Sequence, residues 1–315
     1  MPSKQPLVSI CIPTYNRPAL LKKALQSCFN QTYKNYEIII LDSSKNNLTK
    51  KTICEINDLR ITYKKTVVNF QKKNNIFFNF IKGKYVQFLS DDDLLEPAHI
   101  KKMVEIFEKY PKVGIVMAPL DIIDKQDKRI YPRFYIIKKM NLLYRYLNHN
   151  SLIKKEAILK DFLTRKYPCC VPSGIMFRKE GFDQLGHYDE RADFAIDVEI
   201  CMRFATKYDF YYVDEVLSSW RFSKKTATFN IHQNGVRSKI FYYLVKKYCQ
   251  NKKWQRDSYF FASKRAFLLN TVASIRSLDP GLFLKTLALI NKEDPYLLNK
   301  IKLPLSIFTE ILKTF

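Results

Sequence analysis

A chain of 315 residues, 47% of them hydrophobic, has room for one large domain, or one with an appended subdomain, around a substantial core, which excludes the disordered and fibrous classes. Its 54 Lys and Arg against 30 Asp and Glu leave a formal charge of +24, pointing either to an anionic partner (nucleic acid, lipid headgroups, phosphorylated substrates) or to the habit of a Lys- and Asn-rich genome. Seven cysteines without a C-x-x-C pair, and four His none of which is spaced with a Cys as a ligand pair, argue against disulfides and zinc and for reduced, buried thiols.

Met1 to Gln5 runs straight into an apolar stretch with no basic-then-apolar leader, so no signal peptide is expected. No uncharged apolar run approaches the roughly 18 to 20 residues that span a bilayer. Leu7 to Ile12 reads as a buried parallel strand opening into Pro13-Thr14-Tyr15-Asn16-Arg17, with Pro18 a good first residue for the helix carrying Leu20, Leu21, Ala24, Leu25 and Cys28. Glu37 to Leu41 is a second strand closed by Asp42. A helix around Leu48 to Ile56 and a short strand at Ile61 to Tyr63 follow, and Gly83 turns the chain into a further strand.

That strand, with Tyr85, Val86, Phe88 and Leu89, delivers Asp91, Asp92 and Asp93 where it should stop. Three like charges in a row repel, so they either face water as an acidic turn before a helix or sit beside a cation. Pro97 to Tyr110 reads as a helix, Val113 to Ala118 as a strand. Strands alternating with helices predict a doubly wound, mostly parallel sheet, which binds ligands beyond the carboxyl ends of its strands. Tyr15-Asn16, Asp42 and Asp91 to Asp93 all fall at such ends. Asp121 to Pro172, with Arg129, Tyr131 and Arg133, is expected to connect over this crevice. Val171 to Phe177 re-enters as a strand, a helix starts near Asp197, Tyr211 to Val216 is a strand and Trp220-Arg221 the loop after it. From Asn234 the pattern is helical and basic, with fifteen Lys and Arg against five Asp and Glu between Val236 and Phe315.

Four motifs in this order resemble the inverting nucleotide-sugar glycosyltransferases of family 2, which have the GT-A fold. They are Val8 to Arg17, Ile38 to Ser44, Gly83 to Asp93 with Pro97, and Tyr188-Asp189-Glu190 leading to Asp197-Val198-Glu199 and Arg203. The resemblance covers about Leu7 to Arg221. It implies an α/β GT-A fold: a doubly wound, mostly parallel but mixed sheet flanked by helices, with a helical C-terminal extension. Residues 1–233 would be the glycosyltransferase domain, with a nucleotide-binding half to about 120 and an acceptor half from 121, and 234–315 a basic helical region.

The same resemblance implies the chemistry. Pro13, Thr14 and Tyr15 would pack around the nucleoside of a nucleotide-diphosphate sugar, with Asn16 and Arg17 also in the nucleotide-sugar site, and Asp42 would accept a hydrogen bond from its base; a plain helix cap is the other reading of Asp42. The acidic run would hold Mn²⁺ or Mg²⁺ against the diphosphate. Ser90 stands where the first aspartate is common, so Asp92 is the preferred direct ligand, with Asp91 and Asp93 as alternatives. Ser43 and Ser44 stand where an acid and a glycine are common. Asp197 would be the base that deprotonates the acceptor hydroxyl, although Ile196 replaces the usual glutamate; an N-cap role is the alternative. Arg221 would close over the diphosphate or make an ordinary surface salt bridge.

A UDP-sugar is the expected donor and a glycan hydroxyl, lipid-linked for surface-glycan assembly, the expected acceptor. Nucleic acid is not expected, because no recognised motif for it occurs. A nucleotidyltransferase would carry a Gly-rich loop after the first strand, yet no Gly precedes Gly83. A catalytically inactive glycosyltransferase-like binding module is the remaining rival. The aromatic, basic C-terminal helices, with Phe241, Tyr242, Tyr243, Trp254, Tyr259, Phe260 and Phe261, either lie on an anionic membrane or pack into a core. The expected location is the cytoplasm, peripheral on the inner face of the cell membrane.

Overall fold

The computed structural model describes residues 5–67, 74–131, 149–164, 171–222, 239–260, 262–263, 281, 288 and 292. Contacts divide the chain into two units: Met1–Phe162 with Lys166–Lys224, and Leu163–Arg165 with Lys225–Phe315. Arg133, Cys169, Cys170 and the helices expected beyond residue 263 lie largely outside the described residues.

The apolar run of β1 (Val8–Thr14) is buried along nearly its whole length, as a strand covered on both faces must be. It pairs in parallel with β2 (Tyr36–Asp42) and β4 (Tyr85–Phe88), and β2 pairs in parallel with β3 (Ile61–Lys65). The eight-stranded sheet continues through β10 (Ile175–Arg178), β6 (Val113–Met117), β11 (Asp209–Tyr212) and β9 (Ser151–Ile153), in the order β3-β2-β1-β4-β10-β6-β11-β9. Strand β10 runs antiparallel to both β4 and β6, so residues from late in the chain are threaded through the middle of the sheet. One sheet therefore joins the segments before and after residue 120.

Helices α1 (Pro18–Phe29), α2 (Leu48–Ile56) and α3 (His99–Lys109) connect these strands. The apolar face of α1 places Leu21, Ala24, Leu25 and Cys28 in the core, while α3 buries Ile100, Met103, Val104 and Phe107. Each such fully buried aliphatic or aromatic side chain is worth about 1.5–3 kcal/mol. Burial raises the Cys28 thiol to about 12, and Cys11 is raised as well, so both are inert core groups. Gly83 is required by close approach: a Cβ there would lie 2.5 Å from the Ser9 amide nitrogen. The Ser9 hydroxyl accepts from the Gly83 amide at 2.8 Å, which sets the start of β4 against β1.

Two expectations are corrected here. Strand β11 begins at Asp209 and ends at Tyr212, because Phe210, Tyr211 and Tyr212 pair with β6 and the chain then bends at Asp214. Trp220-Arg221 is no loop: it ends β12 (Ser218–Arg221), which pairs in parallel with β7 (Leu120–Ile123) and antiparallel with β5 (Leu94–Leu95). With β8 (Arg129–Tyr131) these form a second, four-stranded sheet. The segment expected to cross the crevice thus supplies β7 and β8, then β9 and α4 (Lys155–Thr164).

Within the C-terminal unit, α5 (Lys179–Leu185) and α6 (Ile196–Phe204) having closed the first unit, α7 (Lys239–Tyr248) is followed by helical residues 252–260. Tyr242 faces inward, its hydroxyl donating to Ser263 Oγ at 2.8 Å, whereas Phe260 is exposed.

Candidate active site

The acidic run occupies the turn between β4 and β5, and its three carboxylates point to different partners. Asp93 is fully buried and accepts from Ser173 Oγ at 2.5 Å and from the Arg221 amide at 2.9 Å. Asp91 accepts from Thr14 Oγ1 at 2.7 Å and from Arg17 Nη1 at 3.3 Å. The same Arg17 nitrogen lies 2.8 Å from Asp92 Oδ2, so one guanidinium bridges two carboxylates. Burial raises the Asp91 carboxyl to about 6 against the opposing pull of Arg17, with the Asp92 charge adding to the rise. Burial, reinforced by the charge of Asp92, raises Asp93 to about 7.

Arg221 is not on the surface. It is 2% exposed; its Nε donates to the Asp92 carbonyl at 2.7 Å and its Nη2 pairs with Asp127 at 2.5 Å. It props the acidic turn from behind and is buried, which overturns the surface salt-bridge reading. His99, at the start of α3, adds a second brace: Nδ1 lies 2.8 Å from the Leu217 carbonyl and Nε2 2.7 Å from Gln87 Oε1.

The ends of β1 and β2 meet at the other side of the turn. Asp42 has no exposed surface; Oδ1 accepts from the Ser44 amide at 2.7 Å, and Oδ2 from Tyr63 Oη at 2.7 Å and Lys65 Nζ at 3.2 Å. Burial by itself would raise this carboxyl, but the bonds from Ser44, Tyr63 and Lys65 outweigh it and hold Asp42 below the usual carboxylate range. Asp42 is not a helix cap, since Asn47 precedes α2. Asn16 takes a left-handed backbone (φ 52°) while its amide donates to Ser44 Oγ at 2.7 Å, and Tyr15 is left 49% exposed beside it. Pro13 is in β1, half-buried.

Asp197 lies in the first turn of α6, but Ala195 holds the N-cap position and no side chain caps the helix. The carboxylate is half-buried and has no hydrogen bond or ion pair to any described residue. Desolvation alone raises it to about 7. Its charge is felt by the buried Tyr188, whose ring packs edge-on against Phe88 of β4 at 5.5 Å. The neighbouring Glu199–Arg203 ion pair is structural: Arg203 Nη2 meets Glu199 at 2.5 Å while Nη1 donates to the Gly186 carbonyl at 2.9 Å. Asp189 caps the turn before α6 by accepting from the Arg191 amide at 3.1 Å.

A family model described as glycosyl transferase family 2 matches residues 9–186, more than half of the chain. The chain belongs to glycosyl transferase family 2. An uncharacterized glycosyltransferase of Rickettsia felis is 24% identical over 288 residues, a match that covers 87% of this chain and 44% of the relative. The chain therefore spans less than half of that curated relative. Among solved structures, S. aureus TarS 1–349 in complex with UDP-GlcNAc superposes with a TM-score of 0.65 at 11% identity, over 91% of this chain and 81% of TarS 1–349. The mannosyltransferase PcManGT from Pyrobaculum calidifontis, in complex with GDP-Man and Mn²⁺, gives 0.59 at 18% identity over 94% and 83%. These likenesses establish the GT-A fold for this family 2 member.

Among the described residues no group of three acidic, His or Cys side chains could by itself enclose a metal ion. The acidic turn nevertheless fits a divalent cation of the kind that takes one or two carboxylates and completes its shell with substrate phosphates and water. Arg17 already places a positive group between Asp91 and Asp92, so these two are the carboxylates arranged to share a cation, whereas Asp93 is taken up by Ser173 and the Arg221 amide. Reading the sequence of this family 2 chain missed Ser173, Tyr63 and Lys65. Only the small Pro172-Ser173-Gly174 turn before β10 offered a signal, and it gave no hint of which carboxylate the hydroxyl meets.

Proposed function

We propose that this family 2 member transfers a sugar from a nucleotide-diphosphate donor, a UDP-sugar first among them, to a hydroxyl of a glycan acceptor with inversion at the anomeric carbon. The observation that carries this reading is Asp197: a carboxylate with no partner among the described residues, raised to about 7, on a different element from the acidic turn. A group poised near neutral pH is suited to general base catalysis. In this reading Asp197 takes the proton of the acceptor hydroxyl. The oxygen forms its bond to the anomeric carbon as the bond to the diphosphate oxygen on the opposite face breaks.

Asp92 and Asp91 would hold Mn²⁺ or Mg²⁺, with Asp93 fixing the turn; the ion supplies charge neutralisation for the departing nucleoside diphosphate. Pro13, Thr14, Tyr15, Asn16 and Asp42 frame the nucleoside, and Arg17 moves from the two aspartates onto a phosphate when the ion binds. Arg221 supports the turn's backbone. The UDP-GlcNAc in TarS and the GDP-Man with Mn²⁺ in PcManGT favour a donor of this class. The cellular setting that fits is polysaccharide, lipopolysaccharide or glycoprotein-glycan assembly at the cytoplasmic face of the membrane. A lipid-linked acceptor would be reached through the basic helices around α7.

A donor-hydrolysis screen over nucleotide sugars, with and without Mn²⁺ or Mg²⁺, tests this. Metal-dependent release of the nucleoside diphosphate, lost in Asp197→Asn while donor binding persists, is expected. Donor binding without turnover for any donor and acceptor would favour a glycosyltransferase-like binding protein instead.

A further inference from the structure

We infer that Lys65 is the group that reads the donor's base, selecting uracil and guanine, with a carbonyl at pyrimidine C4 or purine C6, over cytosine and adenine, which carry an amino group at that position. The inference rests on the nucleotide-diphosphate reading above and names the part of the site that chooses among such donors.

Asp42 is the obvious base partner, yet it has no exposed surface, and both its oxygens already accept, Oδ1 from the Ser44 amide and Oδ2 from Tyr63 and Lys65. Its exposed partner is Lys65. The two residues are cross-strand neighbours at the ends of β2 and β3, and Asp42 is likewise paired with Thr14 at the end of β1. The Lys65 side chain is 38% exposed, and its ammonium donates to Asp42 Oδ2 at 3.2 Å and to the Asn46 carbonyl at 2.7 Å. An ammonium has three donors, so one remains, and the two fixed contacts limit where it can point. A base lying over this row of strand ends, beside the exposed Tyr15, can meet that donor but not the carboxylate, which has no exposed surface.

The third N–H is satisfied by the O4 of uracil or the O6 of guanine. Facing the N4 amino group of cytosine or the N6 amino group of adenine it sets donor against donor. A site built to donate one hydrogen bond discriminates strongly against a ligand that cannot accept it.

Titration calorimetry of the full chain with UDP, CDP, GDP and ADP at fixed Mn²⁺ tests the assignment. UDP is expected to bind more tightly than CDP, and GDP than ADP, by about tenfold or more. Lys65→Met should bring both ratios close to one, and Lys65→Arg should largely preserve them. Because Lys65→Met strips Asp42 of its counter-charge, the double variant Asp42→Asn with Lys65→Met is measured as well, and it should show the same loss of preference. Lys65 as the reader is overturned if the unaltered chain prefers neither carbonyl base, or if Lys65→Met keeps the full ratios. Equal binding of all four nucleotides removes Lys65 and leaves the nucleotide-diphosphate reading standing; binding of none, with or without Mn²⁺, removes both.

Discussion

Two carboxylates of the candidate site, Asp42 and Asp197, are pushed in opposite directions by their surroundings. Asp42 is saturated with donors and stays ionised, whereas Asp197 has no partner among the described residues and its desolvation carries it to about 7. The rate of transfer should therefore rise as pH passes upward through about 7, and Asp197→Asn should lose both activity and that limb of the profile. Stability moves the other way. A carboxyl whose folded pKa lies above its unfolded value holds its proton more tightly in the folded chain, so its contribution falls as pH rises from about 4 to 7. Asp197→Asn should consequently melt higher than the unaltered chain at pH 8, by a few degrees, and not at pH 4; equal melting at both would refute the burial account. Arg17 gives a second test at this scale. Arg17→Ala leaves Asp91 and Asp92 without their shared cation, so Mn²⁺ alone should raise the melting temperature more in the variant than in the parent. An identical shift in the two would mean that the ion binds elsewhere.

The acidic turn is positioned by the elements around it. Gly83 brings β4 against β1, and Gly83→Ala should destabilise the fold by about 1–3 kcal/mol through the clash with the Ser9 backbone, read as a lower urea midpoint at unchanged slope. The turn and its aspartates were legible in the sequence because they are local: an apolar strand, a charged stop, and a helix beginning near Pro97. So were β1, α1 and β2, whose periodicities differ sharply. Strand β12 was not legible, because Trp220-Arg221 looks like a loop until Ile122 and Ile123 are brought beside it. The same holds for Ser173 and Lys65, whose roles exist only once β10 lies against β4 and β3 against β2. The burial of Arg221 was not legible for a related reason: its charge is visible in the sequence, but its place against Asp92 and Asp127 depends on the second sheet.

At the scale of the whole molecule, the sequence carries a formal charge of +24. The described helices of the C-terminal unit turn Tyr242, Leu244 and Val245 inward and leave Lys246, Lys252, Lys253 and Arg256 exposed, so core packing and a basic outer face coexist there. Among the described residues no helix is long and apolar enough to cross a membrane. If the basic face meets anionic lipid, the full chain should float with phosphatidylserine vesicles at low salt and release as salt rises, and reversing the charges of Lys246, Lys252 and Lys253 should abolish flotation; unaffected flotation would discard that surface. The threading of β10 and β12 through the two sheets also bears on how the protein comes off the ribosome. A nascent chain that has just completed Asp93 carries a carboxylate destined for burial whose partners, the Ser173 hydroxyl and the Arg221 amide, have yet to be synthesised. Translation must proceed past residue 221 before the turn can settle, so a stalled or prematurely terminated product carries every acidic residue of the motif and still lacks the site.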